Sequence, residues 1–172
     1  MVHMLFPKSC GFYRNCAEAE LNCGASGYPL GFGEKNCVKF TQNLDWFDAA
    51  GQDFLFGTMN CLQKAMVPVL QTCSATCDSF RDAAFASHPG CYVGNGFCGL
   101  SCGDVLATVL TVGTDLFNSY TLQQIVGTAE GCAANLHQTL SGCAGEAILL
   151  GVNTIPATVG ELLTNVMANY FK

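Results

Sequence analysis

Cysteine is the residue type in this 172-residue chain with the most chemistry in it, and there are twelve. Thiolates hold zinc when close Cys pairs come with histidine. Here no C-x-x-C occurs, and histidine is scarce at three. Two Cys-x3-Cys pairs, Cys73/Cys77 and Cys98/Cys102, could clamp two antiparallel helices to each other, but eight further cysteines surround them. An even number at irregular spacing reads as a disulfide framework in an oxidising, extracellular compartment. The expected protein is therefore secreted and cysteine-rich, with no cofactor and no metal.

Other chemistry is thin. Gly99-Leu100-Ser101-Cys102-Gly103 fits G-x-S-x-G, the nucleophile elbow of hydrolases. That elbow needs a strand before it, a helix after it and a positioned histidine. A cysteine-bounded loop precedes it here, and His137 falls inside an amphipathic pattern, so a small-residue turn is the expected reading. Asp45, Asp48 and Asp53 lack the loop pattern of a calcium site and read as a solvated acidic face. No catalytic residue is expected, and the chain reads as a non-enzyme.

The elements that position these residues follow from composition and periodicity. Half the residues are apolar, only 12% are charged, and the net charge is −6. That balance excludes nucleic acid, which wants a basic face. The best apolar run, Val105 to Val112, is too short to span a bilayer. Residues 1–10 lack a charged-then-apolar leader. Residues 1–4, with His3-Met4, read as a cloning remnant, and the missing leader as an effect of cloning. Residues 5–172 then form a single disulfide-stapled domain.

The periodic core of the chain runs from Cys37 to Cys61. Cys37, Phe40, Leu44, Phe47, Gly51, Phe54, Thr58 and Cys61 share one helical face. The pattern predicts one long helix from Cys37 to Met59, capped by Asn36, with Gly51 marking close approach of another helix. Residues 5–36, rich in Gly and Cys, read as an irregular segment tied down by disulfides. Gln71–Ser87 predicts the next helix, terminated by His88-Pro89-Gly90. Gly103–Val112 predicts a buried helix. Thr121 and Gln124 suggest a capping box opening another, and a last helix starts near Pro156. The expected fold is all-α, with five or six helices and an irregular cysteine-pinned N-terminal segment.

Cys37-x2-Phe40, then Phe47-Asp48-x2-Gly51-x2-Phe54, then Cys61 resembles the stanniocalcin family, as does the interval of 23 residues between the two cysteines. Cys91-Tyr92 with Cys98, and the run Val105 to Cys132 containing Leu116-Phe117-Asn118-Ser119-Tyr120, are similar again. The likeness covers about residues 37–132. It implies a disulfide-linked helical domain with bridges Cys61–Cys91 and Cys98–Cys132. It also implies that Cys37 bonds back to the N-terminal segment, with Cys16 as the partner. Cys10–Cys23 is the remaining pairing, for which Cys77 competes, since its position also looks like a family cysteine bonding to the N-terminal segment. Cys73, Cys102 and Cys143 are not paired cleanly by the family pattern.

The resemblance implies a secreted, hormone-like regulator without enzymatic activity. It would act by binding an extracellular protein partner or by self-association, with calcium and phosphate handling as the process concerned. The chain departs from the family in having no N-x-S/T glycosylation site and no cysteine after Cys143 to join two chains. The alternative reading is a small lipid- or sterol-binding carrier, similar to the elicitins in its stapled helices and low charge. A lipid would then be the ligand, in a buried apolar cavity of several hundred Å3.

Overall fold

A computed structural model of the chain describes residues 8–117 and 119–132. Among these residues the protein is all-α. Helices α1 (residues 11–21) and α2 (residues 28–42) are followed by α3 (Ala49–Leu70), α4 (Cys77–Gly94), α5 (Cys102–Val112) and α6 (Ser119–Cys132). Short 3-10 turns at Leu44–Trp46, Phe97–Gly99 and Gly113–Phe117 join them. The expected last helix near Pro156 lies outside the described residues.

The N-terminal segment is not irregular. Tyr13–Glu18 in α1 and Tyr28–Glu34 in α2 are wound as π-helix, a rare form whose hydrogen bonds close over five residues instead of four. Phe12, Tyr13, Ala17 and Tyr28 are buried and join Met59, Met66, Phe80 and Phe85 in the main core. The segment thus supplies core as well as being tied down by disulfides at Cys10 and Cys23. Its glycines and Pro29 sit within or beside wide turns. Asn36 is no cap either: it is buried inside α2, where its Nδ2 donates to the Phe32 carbonyl.

The long helix predicted from Cys37 is broken. α2 ends at Gln42, and α3 begins only at Ala49. Asp48 caps α3, its Oδ1 accepting the Gly51 N–H at 3.0 Å. The carbonyls left over at the break are not wasted. Gln52 Nε2 donates to both the Leu44 and the Phe47 carbonyl, each at 3.1 Å. The apolar face runs through the break because Leu44 and Phe47 still point at the core. Periodicity alone therefore cannot see it.

α4 also departs from expectation. It starts at Cys77, behind a capping box in which Thr76 Oγ1 accepts the Ser79 N–H and Ser79 Oγ accepts the Thr76 N–H. It then runs through Pro89 to Gly94 instead of stopping at His88. Proline removes one helical hydrogen bond and crowds the preceding turn. Tertiary contacts outweigh this: the Pro89 ring packs on Gly127 of α6, and Cys91, one turn short of the helix end, is bonded to Cys61 of α3. A Cβ on Gly127 would lie 3.0 Å from Pro89, and one on Gly131 would lie 2.8 Å from Val93. These two glycines let α6 lie close along α4. Thr121 sits within α6 and does not cap it; its Oγ1 makes no hydrogen bond.

Four disulfides fasten the helices: Cys10–Cys37, Cys23–Cys77, Cys61–Cys91 and Cys98–Cys132. Cys102 is disulfide-bonded as well. The Cys61–Cys91 and Cys98–Cys132 bridges join the cysteines that the resemblance pairs. Two pairings need correction. Cys37 bonds Cys10, leaving Cys16 a free thiol, and Cys23 bonds Cys77 rather than Cys10. The reason is the helical course of residues 11–21. It sets Cys10 at the start of α1, next to Cys37, and sends Cys23 on toward the start of α4. The twin Cys-x3-Cys clamp does not form, since Cys73 is free and Cys77 and Cys98 take other partners.

The Cys61–Cys91 bridge spans 30 residues, and closing such a loop in the unfolded chain is worth about 3–4 kcal/mol. The double substitution Cys61→Ala/Cys91→Ala should lower unfolding free energy by about that amount in urea titration. A loss under about 1 kcal/mol would show that this bridge does not constrain the fold.

Candidate functional site

Phe47, Asp48, Gly51 and Phe54 meet at the joint between α3 and α5. Asp104, only 1% exposed, lies under the first turn of α3. Its Oδ1 accepts the Asp48 N–H at 3.0 Å, and its Oδ2 accepts the Ser101 hydroxyl at 2.7 Å. Ser101 in turn caps α5, accepting the Asp104 N–H. One buried carboxylate thus ties two helix starts together, and each start offers it the partial positive charge of a helix N-terminus. Asp48 points outward from the same joint. Its carboxyl is held below the usual carboxylate range, first by the Gly51 N–H that donates to it.

Gly51 makes the joint possible. A Cβ there would sit 2.3 Å from Asp104 Oδ1. Phe47 and Phe54, both buried, flank the joint in a second core with Leu55, Leu100 and Val105. Phe47, Asp48, Gly51 and Phe54 are therefore brought together, and what they build is a helix junction.

Ser101 does not sit on an elbow. A 3-10 turn precedes it, and its hydroxyl is committed to Asp104. His137 lies outside the described residues. Among the described residues, no group of three or more His, Cys, Asp or Glu stands close enough to hold a metal ion. No helix there is long and apolar enough to cross a membrane.

The second feature went unseen in the sequence. A partly open pocket of about 70 Å3 lies among α1 to α6. Tyr13, Tyr28, Asn36, Thr58, His88 and Thr121 are among its lining residues, and no charged side chain lines it. Each occupies an ordinary core position on its own helix, so no local spacing announces the site. His88 Nδ1 lies 2.7 Å from the Ala84 carbonyl. A carbonyl only accepts, so Nδ1 carries the proton and Nε2 is left as an acceptor. Burial pushes the His88 pKa down to about 4. Burial also lifts the phenols: Tyr92 rises to about 12, and Tyr13 and Tyr28 rise as well. Tyr13 and Tyr28 are raised further by neighbouring tyrosines of this group. Every titratable side chain lining the cavity is neutral near pH 7.

The surface offers other features. Trp46, 51% exposed, stands at the α2–α3 break, with Val38 and Leu110 exposed on the neighbouring helices. An open groove of about 330 Å3 between α4 and α6 is lined by Phe85, Pro89 and Tyr120 with Asp82 and Gln123. Cys73 is exposed and free; Cys16 is free and partly covered, and burial raises its thiol pKa.

No protein-family model, no curated protein and no solved structure matches this chain.

Two measurements probe these sites. At a tolerant helical position Gly→Ala gains up to about 1 kcal/mol. Gly51→Ala should instead lose about 1–3 kcal/mol, because the buried Asp104 carboxylate has no room to retreat; a gain in thermal melting would contradict the junction. His88 has a lower pKa folded, about 4, than its ordinary 6.5. The unfolded chain therefore binds the proton first. The His88 contribution is fully present above pH 6.5 and is lost as pH falls toward 4, by about 3 kcal/mol in total. His88→Gln should flatten the stability profile across that window, and an unchanged slope would contradict the buried neutral imidazole.

Proposed function

We propose that this is a secreted, non-enzymatic protein of stanniocalcin-like type that acts by binding an extracellular protein partner, in the regulation of calcium or phosphate. The observation that carries the reading is the disulfide map. Cys61–Cys91 and Cys98–Cys132 join the pairs the resemblance implies, and Cys23–Cys77 returns to the N-terminal segment as the family position of Cys77 implies. Disulfides persist in oxidising compartments, which supports secretion. The chemistry around Ser101 and Asp104 is spent on capping helices, which supports a binding role over a catalytic one.

Trp46 is the natural contact residue. A half-exposed tryptophan on a rigid break between helices presents a large apolar area with little side-chain freedom to lose, and such residues dominate binding energy at interfaces. Val38 and Leu110 extend apolar character over the adjoining α2 and α5.

The carrier alternative draws less support. The central pocket of about 70 Å3 is far below the several hundred Å3 of drug-sized ligand sites. The larger groove between α4 and α6 is open, and polar groups share its lining.

The test is binding of the labelled, disulfide-intact protein to the surface of intact cells of the source organism, with calcium and phosphate uptake followed alongside. Saturable binding is expected, weakened at least tenfold by Trp46→Ala with the melting temperature unchanged. Absence of saturable binding, together with stoichiometric uptake of a sterol or fatty acid, would overturn the proposal in favour of the carrier.

A further inference from the structure

The chain holds twelve cysteines, and eleven of them lie among the described residues. Eight of the eleven form the bridges Cys10–Cys37, Cys23–Cys77, Cys61–Cys91 and Cys98–Cys132. Cys16 and Cys73 are free thiols. The eleventh, Cys102, is disulfide-bonded. Its partner is none of the other ten, because each of those is either bonded elsewhere or free. One cysteine is left in the sequence, Cys143.

Chain reach allows the pairing. Cys132 lies 5.3 Å from Cys98, Cα to Cα. Cys98 and Cys102 are four residues apart, a stretch that spans at most about 14 Å. Cys102 is therefore within about 20 Å of Cys132. Eleven residues lead from Cys132 to Cys143, and extended they reach about 36 Å. The chain can return to Cys102 with slack. Cys102 is also accessible from outside: it is the first residue of α5, part-exposed between exposed Ser101 and Gly103.

We infer that Cys102 and Cys143 form a fifth disulfide within the chain, which anchors the stretch after α6 to the first turn of α5. That turn is the one held at the Asp104 joint. Ser101, immediately before Cys102, caps it, and Asp104, two residues after, accepts the Asp48 N–H at the start of α3. The bridge therefore lands where α3 and α5 are already fastened together. With Cys98–Cys132 it closes residues 98–102 and 132–143 into one covalent ring. It also commits the last cysteine of the sequence inside the chain, so Cys143 does not join two copies. None of this depends on what binds at the Trp46 surface.

The test is a peptide map of the whole unreduced protein, alkylated and digested with pepsin in acid, where the attacking thiolate is protonated and disulfides do not reshuffle. Pepsin cleaves after leucine. Leu100 separates Cys98 from Cys102, and Leu136 and Leu140 separate Cys132 from Cys143. A linked pair carrying Cys102 and Cys143 should be recovered from the monomer band of a non-reducing gel and should come apart on reduction. Cys143→Ser should add a third alkylated thiol, at Cys102, to those at Cys16 and Cys73, and Cys102→Ser should add one at Cys143. Each variant should melt below the parent, and the double variant no lower than the lower of the two, because the two changes remove one shared bond. The inference is overturned if Cys143 of the parent is alkylated, if Cys102 or Cys143 is linked to any other position, or if their link comes only from a covalent dimer. Additive losses in melting temperature would contradict it as well. The parent map decides the pairing even where a variant fails to fold.

Discussion

The fold depends on covalent closure between helices that are distant in sequence. Cys10–Cys37 fixes the start of α1 to α2, and Cys23–Cys77 fixes the α1–α2 turn to the first residue of α4. Cys61–Cys91 fixes the middle of α3 to the far part of α4, and Cys98–Cys132 fixes the turn before α5 to the end of α6. α4 is thus bonded toward both ends. That is why it carries a proline in its interior without breaking. It also helps explain how polar residues can surround a central cavity: the bridges constrain the unfolded chain, so packing at the centre need not supply all of the stability.

Much of this was legible in residue types. Cysteine number and spacing gave the disulfide framework, helical periodicity gave the all-α class, and the resemblance implied Cys61–Cys91 and Cys98–Cys132. Gly51 was readable as a place of close approach, although its neighbour is a carboxylate at a helix start and not a helix flank. Other features were hidden for physical reasons. The break at residues 43–48 keeps Leu44 and Phe47 on the apolar face, so the helical period runs on across it. Its signal was Asp48, a good cap followed three residues later by Gly51, but a row of acidic residues reads equally well as a solvated face. In α1 and α2, glycine and proline suggested loose chain, yet π-helical turns accommodate them. Pro89 shows tertiary contact overriding a local stop signal. The Cys10–Cys37 pairing followed from the helical course of α1, which residue spacing did not reveal.

The pocket was the least legible feature, because its lining is assembled from all six helices. Its chemistry is consistent throughout: the imidazole of His88 is held neutral, the phenols are held protonated, and no charged group intrudes. The Asp104 junction places a deeply buried carboxyl elsewhere, between two helix starts that satisfy it. The molecule thus separates a neutral polar centre from a hydrogen-bonded carboxyl joint, and leaves Trp46 outside both as an exposed apolar side chain.

The measurement that bears most directly on this account is a disulfide map of the unreduced, alkylated protein by peptide mass spectrometry. The account predicts Cys10–Cys37, Cys23–Cys77, Cys61–Cys91 and Cys98–Cys132, with alkylation at Cys16 and Cys73. Finding Cys61 joined to any residue other than Cys91, or thiols at most of the twelve positions, would contradict it.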